Sequence, residues 1–342
     1  MHRALRLTIE GSAIAANWRW LAARAGVACG AAVKADGYGL GACETVAVLG
    51  EAGCRDFFVS TWAEADALGP LPDSASLAVL HGVGPDDVAA ALAATARPVL
   101  NSVEQIARWT QMAPDRACDV MVDTGMNRLG LRPEDLAAFD GLQIDTLMSH
   151  LACADEDHPL NTAQLQRFRE VAGAVPAKRF SLANSAGILL GRDFAFDLVR
   201  PGLALYGGIP RREAREAIRQ VARVEAQVVQ RRTIRAGESC GYGATFVAAT
   251  DTEAAIVNVG YADGYLCGFS ARGSAFVGEF ALPVLGRVSM DLIALGCGAA
   301  ADLKEGDWVE LDYDLPGASE ASGLSQYELL TGLGRRFERV WR

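Results

Sequence analysis

Lys34 ends an apolar run, Cys29-Gly30-Ala31-Ala32-Val33, and is followed after Ala35 by Asp36-Gly37-Tyr38-Gly39-Leu40-Gly41. The chain has only three lysines, at positions 34, 178 and 304, among 32 lysines and arginines. Arginine has taken nearly every surface cation position, so a lysine at the end of a buried strand points to a need for an amine that can lose its proton. Imine formation with a carbonyl cofactor is the leading such need. For an isolated lysine the competing reading is a snorkelling residue that closes a strand. The glycine-rich turn and Tyr38 weigh against it, because backbone N–H groups and a phenol in such a loop can meet a phosphate.

Elements able to position this lysine are visible as a pattern. From about residue 10 to 210, short apolar runs alternate with alanine-rich segments of helical period, for example Ile14, Trp18, Leu21 and Ala25 along one face. The runs span residues 29–33, 57–59, 77–80, 98–100, 120–122, 144–148, 180–182 and 203–206. Eight of them, each with room for a helix, predict an α/β fold, a (β/α)8 TIM-type barrel over residues 10–215. A doubly wound sheet is the alternative from the same pattern, but no Gly-x-Gly-x-x-Gly turn follows the first run. Past residue 215 the texture changes to β-branched runs at 221–229, 254–259, 275–280, 282–285 and 307–311, several bounded by glycine. A smaller all-β domain is expected over residues 216–342, with the alternating stretch 1–9 joining it as a strand.

A barrel presents its catalytic residues at the carboxyl ends of its strands. Lys34 follows the first run, Asp123-Thr124-Gly125-Met126-Asn127-Arg128 the fifth, His150 the sixth and Asn184-Ser185 the seventh, while Arg200-Pro201-Gly202 sits beside the eighth. Convergence of these residues on one site is the expectation the fold makes.

The formal charge is −10, with no basic run or aromatic-basic interleaving, which argues against a nucleic-acid partner. The first ten residues alternate polar with apolar and lack the continuous apolar stretch of a signal peptide, and no segment reaches a membrane-spanning length. The eight cysteines, at 29, 43, 54, 118, 153, 240, 267 and 297, form no C-x-x-C pair. Reduced thiols in a cytoplasmic enzyme are expected. Four histidines, at 2, 81, 150 and 158, give no metal-ligand pattern.

The segment Val33-Lys34-Ala35-Asp36-Gly37-Tyr38-Gly39-Leu40-Gly41 closely resembles the pyridoxal-phosphate lysine segment of the alanine racemase family, departing at Gly37 and Leu40. Further motifs follow in the family's order: residues 123–130, 149–155, 183–185 and 199–207, then 241–246, 260–264, 286–291 and 327–330. The resemblance implies a pyridoxal 5'-phosphate enzyme that interconverts L- and D-alanine and supplies D-alanine for peptidoglycan. It implies that Lys34 holds the cofactor covalently, that Tyr38, Asn184, Ser185, Tyr327 and the backbone near Gly202 and Leu203 surround its phosphate, and that Arg200 faces its ring nitrogen. Tyr261 of the partner subunit becomes the second base, with His150 and Arg200 behind it in a hydrogen-bonded relay. Met290 and Asp291, also from the partner subunit, line the substrate mouth, while Arg128 holds the substrate carboxylate. An obligate homodimer with shared sites follows.

Taken without the motifs, the same residues have plainer readings: Ser185 as a helix N-cap, Tyr38 and Tyr327 as half-buried core tyrosines, His150 as a satisfied core histidine, Arg200 as a surface cation beside a proline turn. Two positions depart from the family. Met121 stands where many members carry a lysine that becomes carbamylated and braces the active-site arginine, so an anion or acidic group is expected near Arg128. Glu338 stands where proline is usual. A broader-specificity or serine-preferring racemase is the nearest rival, since pocket volume would distinguish it. A decarboxylase of the same architecture would need a cysteine-aspartate pair and a glycine-rich phosphate motif that are missing at the corresponding places, and a non-catalytic cofactor-binding protein would have no use for Tyr261.

Overall fold

A computed structural model describes residues 3–342; Met1 and His2, the start of the stretch expected to join the β domain, lie outside the described residues. The chain forms two compact units, one over Ser12–Arg219, the other uniting Gln220–Arg342 with the amino-terminal stretch that ends at Gly11.

In the first unit seven strands run parallel in sequence order: Ala31–Ala32, Asp56–Val59, Ser76–Val79, Arg97–Leu100, Cys118–Met121, Ile144–Met148 and Arg179–Ser181. A separate parallel pair joins Leu198–Val199 to Ala28–Cys29. Helices or helical turns fill most of the intervals, and their starts carry the expected caps. Thr61 and Glu64 form a capping box before Trp62–Ala67, Ser102 accepts the Gln105 N–H, and His158 Nδ1 accepts the Leu160 N–H. The face marked by Ile14, Leu21 and Ala25 on the helix Gly11–Ala25 is buried.

The alternation of side chains along a strand organises the interior. Phe58, Ala78, Val99, Met121, Met148 and Leu198, one from each of six strands, pack into a single apolar cluster. Two residues earlier on the strands lie Asp56, Ser76, Arg97, Asp119 and Thr146, a polar layer tied by ion pairs. Arg97 reaches Asp119 and Asp145 at 3.1 and 3.2 Å, and Arg179 reaches Asp56 and Asp145 at 2.9 and 3.1 Å. Two residues later than the apolar cluster, the same parity delivers His150 and Arg200 to the carboxyl ends.

One expected strand is not a strand. Residues 203–206 form a buried 3-10 turn, Leu203–Tyr206, bracketed by Gly202 and by Gly207 in the left-handed region. The strand in this region is instead the two-residue Leu198–Val199 of the separate parallel pair, which the flanking Asp197 and Arg200 hide from an apolar-run search. Run length alone does not separate a buried turn from a buried strand.

The second unit is built on an eight-stranded sheet in which Ala222–Ile234, bent by a bulge between Val228 and Gln230, pairs with Leu5–Ile9, Trp308–Leu311 and Thr252–Val257. Six strands thereby close into a ring. The expected run 275–280 is broken by a two-residue hairpin loop, Gly278-Glu279, with Gly278 at φ 57°, so Ser274–Val277 and Phe280–Leu285 are separate antiparallel strands. Ile293–Gly296, on the apolar run 292–295, and Glu338–Trp341 add strands that the expected runs did not include. Among the described residues no helix is long and apolar enough to cross a membrane, and no cluster of side chains could hold a metal ion.

The polar layer yields a prediction. Asp119 is fully buried, its Oδ2 has no hydrogen-bond partner, and burial pushes its carboxyl up to about 6 against the pull of Arg97. Between about pH 4 and 6 the folded protein keeps a proton that the unfolded chain has released, so this group lowers stability as pH rises through that window. In chemical unfolding followed by circular dichroism, the stability of Asp119→Asn relative to the parent should rise by roughly 2–3 kcal/mol from pH 4 to pH 7. A constant difference would show that Asp119 ionises alike in both states.

Candidate active site

The backbone after Val33 leaves the strand in a left-handed helical turn. Ala35, Asp36, Gly37 and Tyr38 have φ of 52°, 53°, 60° and 56°, and Gly39 follows at 85°. The glycine-rich loop expected here is therefore a specific conformation that glycine adopts freely at 37 and 39, whereas Ala35, Asp36 and Tyr38 each carry about 1–2 kcal/mol of strain. Local bonds offset it. Ala35 N–H donates to Glu64 Oε1 at 2.8 Å, Ala42 N–H to Asp36 Oδ1 at 3.0 Å, and the Tyr38 ring stacks on Tyr206 with centroids 4.6 Å apart. Tyr206 is itself anchored by its hydroxyl donating to the Ala32 carbonyl at 2.9 Å. The turn thus fixes Lys34 at the strand end and sends Tyr38 back into the unit.

Lys34, Arg128, His150 and Arg200 lie close enough for their charges to act on one another. The Lys34 amine is held below the usual lysine range, first by burial and then by the Arg128 guanidinium, with Glu64 opposing. Burial pushes the His150 imidazole down to about 3, helped by Arg200, Arg128 and Lys34. Arg200, only 7% exposed, is drawn down to about 10 by burial and supported by Asp119, so it stays protonated at neutral pH. Among the described residues the Lys34 amine, the His150 ring and the Arg128 guanidinium have no hydrogen-bond or ion-pair partner. Of the anion or acidic group expected beside Arg128, no carboxylate within ion-pair distance is found among the described residues, and Met121 is buried in the apolar cluster.

Arg200 does not join the expected relay through His150. Its Nη1 donates to Ser181 Oγ and its Nη2 to the Ser149 carbonyl at 2.6 Å. Its remaining N–H donors are left for another acceptor.

A second group of donors forms an anion cradle. Ser185 is buried and does not cap the turn that follows it, a task done by Asn184, whose Oδ1 accepts the Gly187 N–H at 2.9 Å. Ser185 Oγ instead accepts the N–H groups of Gly202 and Ala204 at 2.9 and 3.3 Å, standing where anion oxygens could sit. The Leu203 N–H between them has no acceptor among the described residues. The Tyr38 hydroxyl lies against Gly202 so closely that a Cβ there would overlap it. Three N–H groups, a serine and a phenol are the donors a dianion needs.

The remaining candidates belong to the other unit. Tyr261 and Met290 are 39% and 53% exposed and adjacent: Tyr261 and Ala262 donate their N–H groups to the carbonyls of Ser289 and Met290, both at 3.0 Å. The Met290 N–H has no acceptor among the described residues, while the Asp291 carboxylate is engaged by Arg336 at 2.7 Å. Tyr327, half exposed on the helix Gln326–Thr331, lies in the same unit.

Sequence reasoning missed Glu64, Ser181 and Arg336. The Thr61-x-x-Glu64 spacing marks Glu64 as a capping residue, but nothing local discloses its bond to Ala35.

Chemically, the first unit offers an amine of lowered proton affinity, a set of donors that could receive a dianion and a buried guanidinium with spare donors, an arrangement that fits a cofactor bearing an aldehyde, a phosphate and a ring nitrogen. Residues 9–210 match the family model described as alanine racemase, N-terminal domain, and residues 221–341 its C-terminal domain counterpart. A relative named catabolic alanine racemase from Agrobacterium fabrum is 43% identical, covering 98% of this chain and 91% of the relative; an alanine racemase from Acidiphilium cryptum is 41% identical, covering 98% of each. The crystal structure of alanine racemase from Bartonella henselae with covalently bound pyridoxal phosphate superposes with a TM-score of 0.93 at 35% identity, over 100% of both chains. With both units matched in order and the likeness unbroken from end to end, this chain belongs to the alanine racemase family.

Proposed function

We propose that this protein interconverts L- and D-alanine with pyridoxal 5'-phosphate, using Lys34 and Tyr261 of the partner subunit as bases on opposite faces of the substrate. The observation that carries the reading is the unpaired, charge-depressed amine of Lys34 beside the donors at Ser185, Gly202 and Leu203. When bound, the cofactor supplies an aldehyde for the amine and a conjugated ring that spreads the charge left on Cα by proton loss. Lys34 takes or returns the proton on one face, and its lowered proton affinity raises the fraction able to act as a base. Tyr38, Ser185 and the backbone at Gly202 and Leu203 hold the phosphate, with Tyr327 completing its surroundings. Arg200 would hold the ring nitrogen by a hydrogen bond while keeping its own proton, so that the bound ring would be a weaker electron sink, which would favour racemisation over transamination. His150, neutral to about 3, serves Tyr261 as a neutral hydrogen-bond partner instead of a cation. Arg128, free of carboxylates, receives the substrate carboxylate together with the Met290 N–H.

Supply of Tyr261, Met290 and Asp291 by a second copy makes the active form a homodimer. Exposed Tyr242, Tyr261, Phe280 and Met290 in the second unit support an interface there. The parallel strands close as an eight-stranded (β/α)8 barrel in this reading, supported by bonds from Gly30 N–H to the Val199 carbonyl and from Arg200 N–H to the Ala183 carbonyl, both at 2.9 Å. Eight free cysteines accord with a cytoplasmic enzyme that supplies D-alanine for peptidoglycan.

Borohydride reduction of the protein with pyridoxal phosphate, followed by peptide mapping, should label Lys34 and neither Lys178 nor Lys304. Lys34→Ala should lose the label and at least roughly 10³-fold in racemisation. Labelling at either other lysine overturns the mechanism.

Gly202→Ala probes the cradle, because its Cβ displaces the Tyr38 hydroxyl. Titration of stripped enzyme with pyridoxal phosphate should show a dissociation constant raised about tenfold or more, equivalent to about 1.4 kcal/mol. An unchanged constant would remove Tyr38 and Gly202 from the phosphate site.

A further inference from the structure

The turn that carries Tyr261 is secured by a residue from the far end of the chain. Asp263, two residues on, is fully buried, and its Oδ2 accepts the Gly260 N–H at 3.1 Å. Arg336 meets the same carboxylate side-on, Nε to Oδ1 at 2.5 Å and Nη2 to Oδ2 at 2.7 Å, and its Nη1 extends to Asp291 Oδ1 at 2.7 Å. One planar guanidinium therefore joins the Tyr261 turn to the Met290 segment. The Gly334 N–H, donating to the Asp263 carbonyl at 3.0 Å, ties the carboxyl-terminal stretch to the same turn. Gly260 has no room for a Cβ, which would overlap the carbonyls of Ser289 and Met290, so the two segments are in backbone contact.

We propose that Arg336 is a positioning residue that fixes Tyr261 and the Met290 N–H in one arrangement by clamping Asp263 and Asp291 together. The proposal rests on the reading of Tyr261 as a base and Met290 as a substrate contact. A guanidinium suits the task because its fork offers parallel donors to one carboxylate and a third donor to another, which an ammonium on a flexible stem cannot reproduce. The Asp263 side of the clamp is shielded from solvent, so salt and water compete with it less than with an exposed pair. Without Arg336, the buried carboxylate of Asp263, in the same turn as Tyr261, needs a new partner, and the turn must open to admit water.

The test compares Arg336→Met and Arg336→Lys with the parent holoenzyme by hydrogen–deuterium exchange and by kinetics. Exchange of the Tyr261 and Ala262 amides should quicken in both variants, while amides of the strand Thr252–Val257 keep their parent rates. Racemisation kcat/KM should fall about 10–100-fold, the scale of a misplaced catalytic group, with borohydride labelling of Lys34 unchanged. Because the two enantiomers are equal in energy, kcat/KM falls alike in both directions; the α-deuterium isotope effect should grow for only the enantiomer whose proton Tyr261 removes. If Arg336→Met quickens exchange throughout the unit, Arg336→Lys, which keeps a cation beside Asp263, decides. Unchanged exchange at Tyr261 and Ala262, equal growth of both isotope effects, or exchange raised throughout in both variants overturns the proposal. Should the parent enzyme not racemise alanine, the functional reading fails, while the exchange result still decides whether Arg336 fixes the turn.

Discussion

Crowding of positive charge with no carboxylate in direct ion-pair contact governs the candidate site. Lys34, Arg128, His150 and Arg200 act on one another, yet among the described residues none of them has a carboxylate within ion-pair distance. Burial and mutual repulsion resolve this by stripping protons: His150 becomes neutral and Lys34 is drawn toward neutrality. Arg200 cannot follow, because a guanidinium keeps its proton, and it leans on neutral oxygens at Ser149 and Ser181 with Asp119 as its counter-charge. Binding of an anion there would recover electrostatic free energy lost in assembling the cluster.

The left-handed turn after Lys34 shows a related economy in the backbone. Three non-glycine residues in succession around Gly37 would unwind if left to local propensity. They persist because Glu64, Asp36 and the Tyr38–Tyr206 stack over-determine the conformation. Strain held in this way fixes Lys34 and Tyr38, four residues apart in sequence and proposed here as nucleophile and phosphate ligand, in one backbone conformation.

Legibility in the sequence followed the range of the interactions involved. Lys34 could be found because lysine is rare in this chain and because an apolar run and a glycine turn flank it. His150 could be found because it follows the apolar run 144–148, whereas Arg200 was reached only through the family motif and a run, 203–206, that is a turn. The residues 203–206 misled because buried turns and buried strands share a composition, and the hairpin at Gly278 was hidden inside a run of acceptable β-formers. Glu64 and Arg336 were invisible for another reason: each acts on residues that only the fold brings near, 29 positions away for Ala35 and 73 for Asp263. Met121 extends the apolar layer, and among the described residues no carboxylate forms an ion pair with Arg128.

The two-base reaction proposed above makes a particular demand on such a fold. Each base must be rigid within its own unit before the pair can be rigid across the substrate, because the proton leaves one face and returns to the other. The first unit meets that demand through backbone strain and burial around Lys34. The second meets it through charge, with Asp263, Asp291 and Arg336 binding together a turn whose tyrosine is exposed and so gains little from packing. The difference has a physical reason. A buried amine can be held by its surroundings, whereas an exposed phenol must be held from behind, through the backbone that carries it.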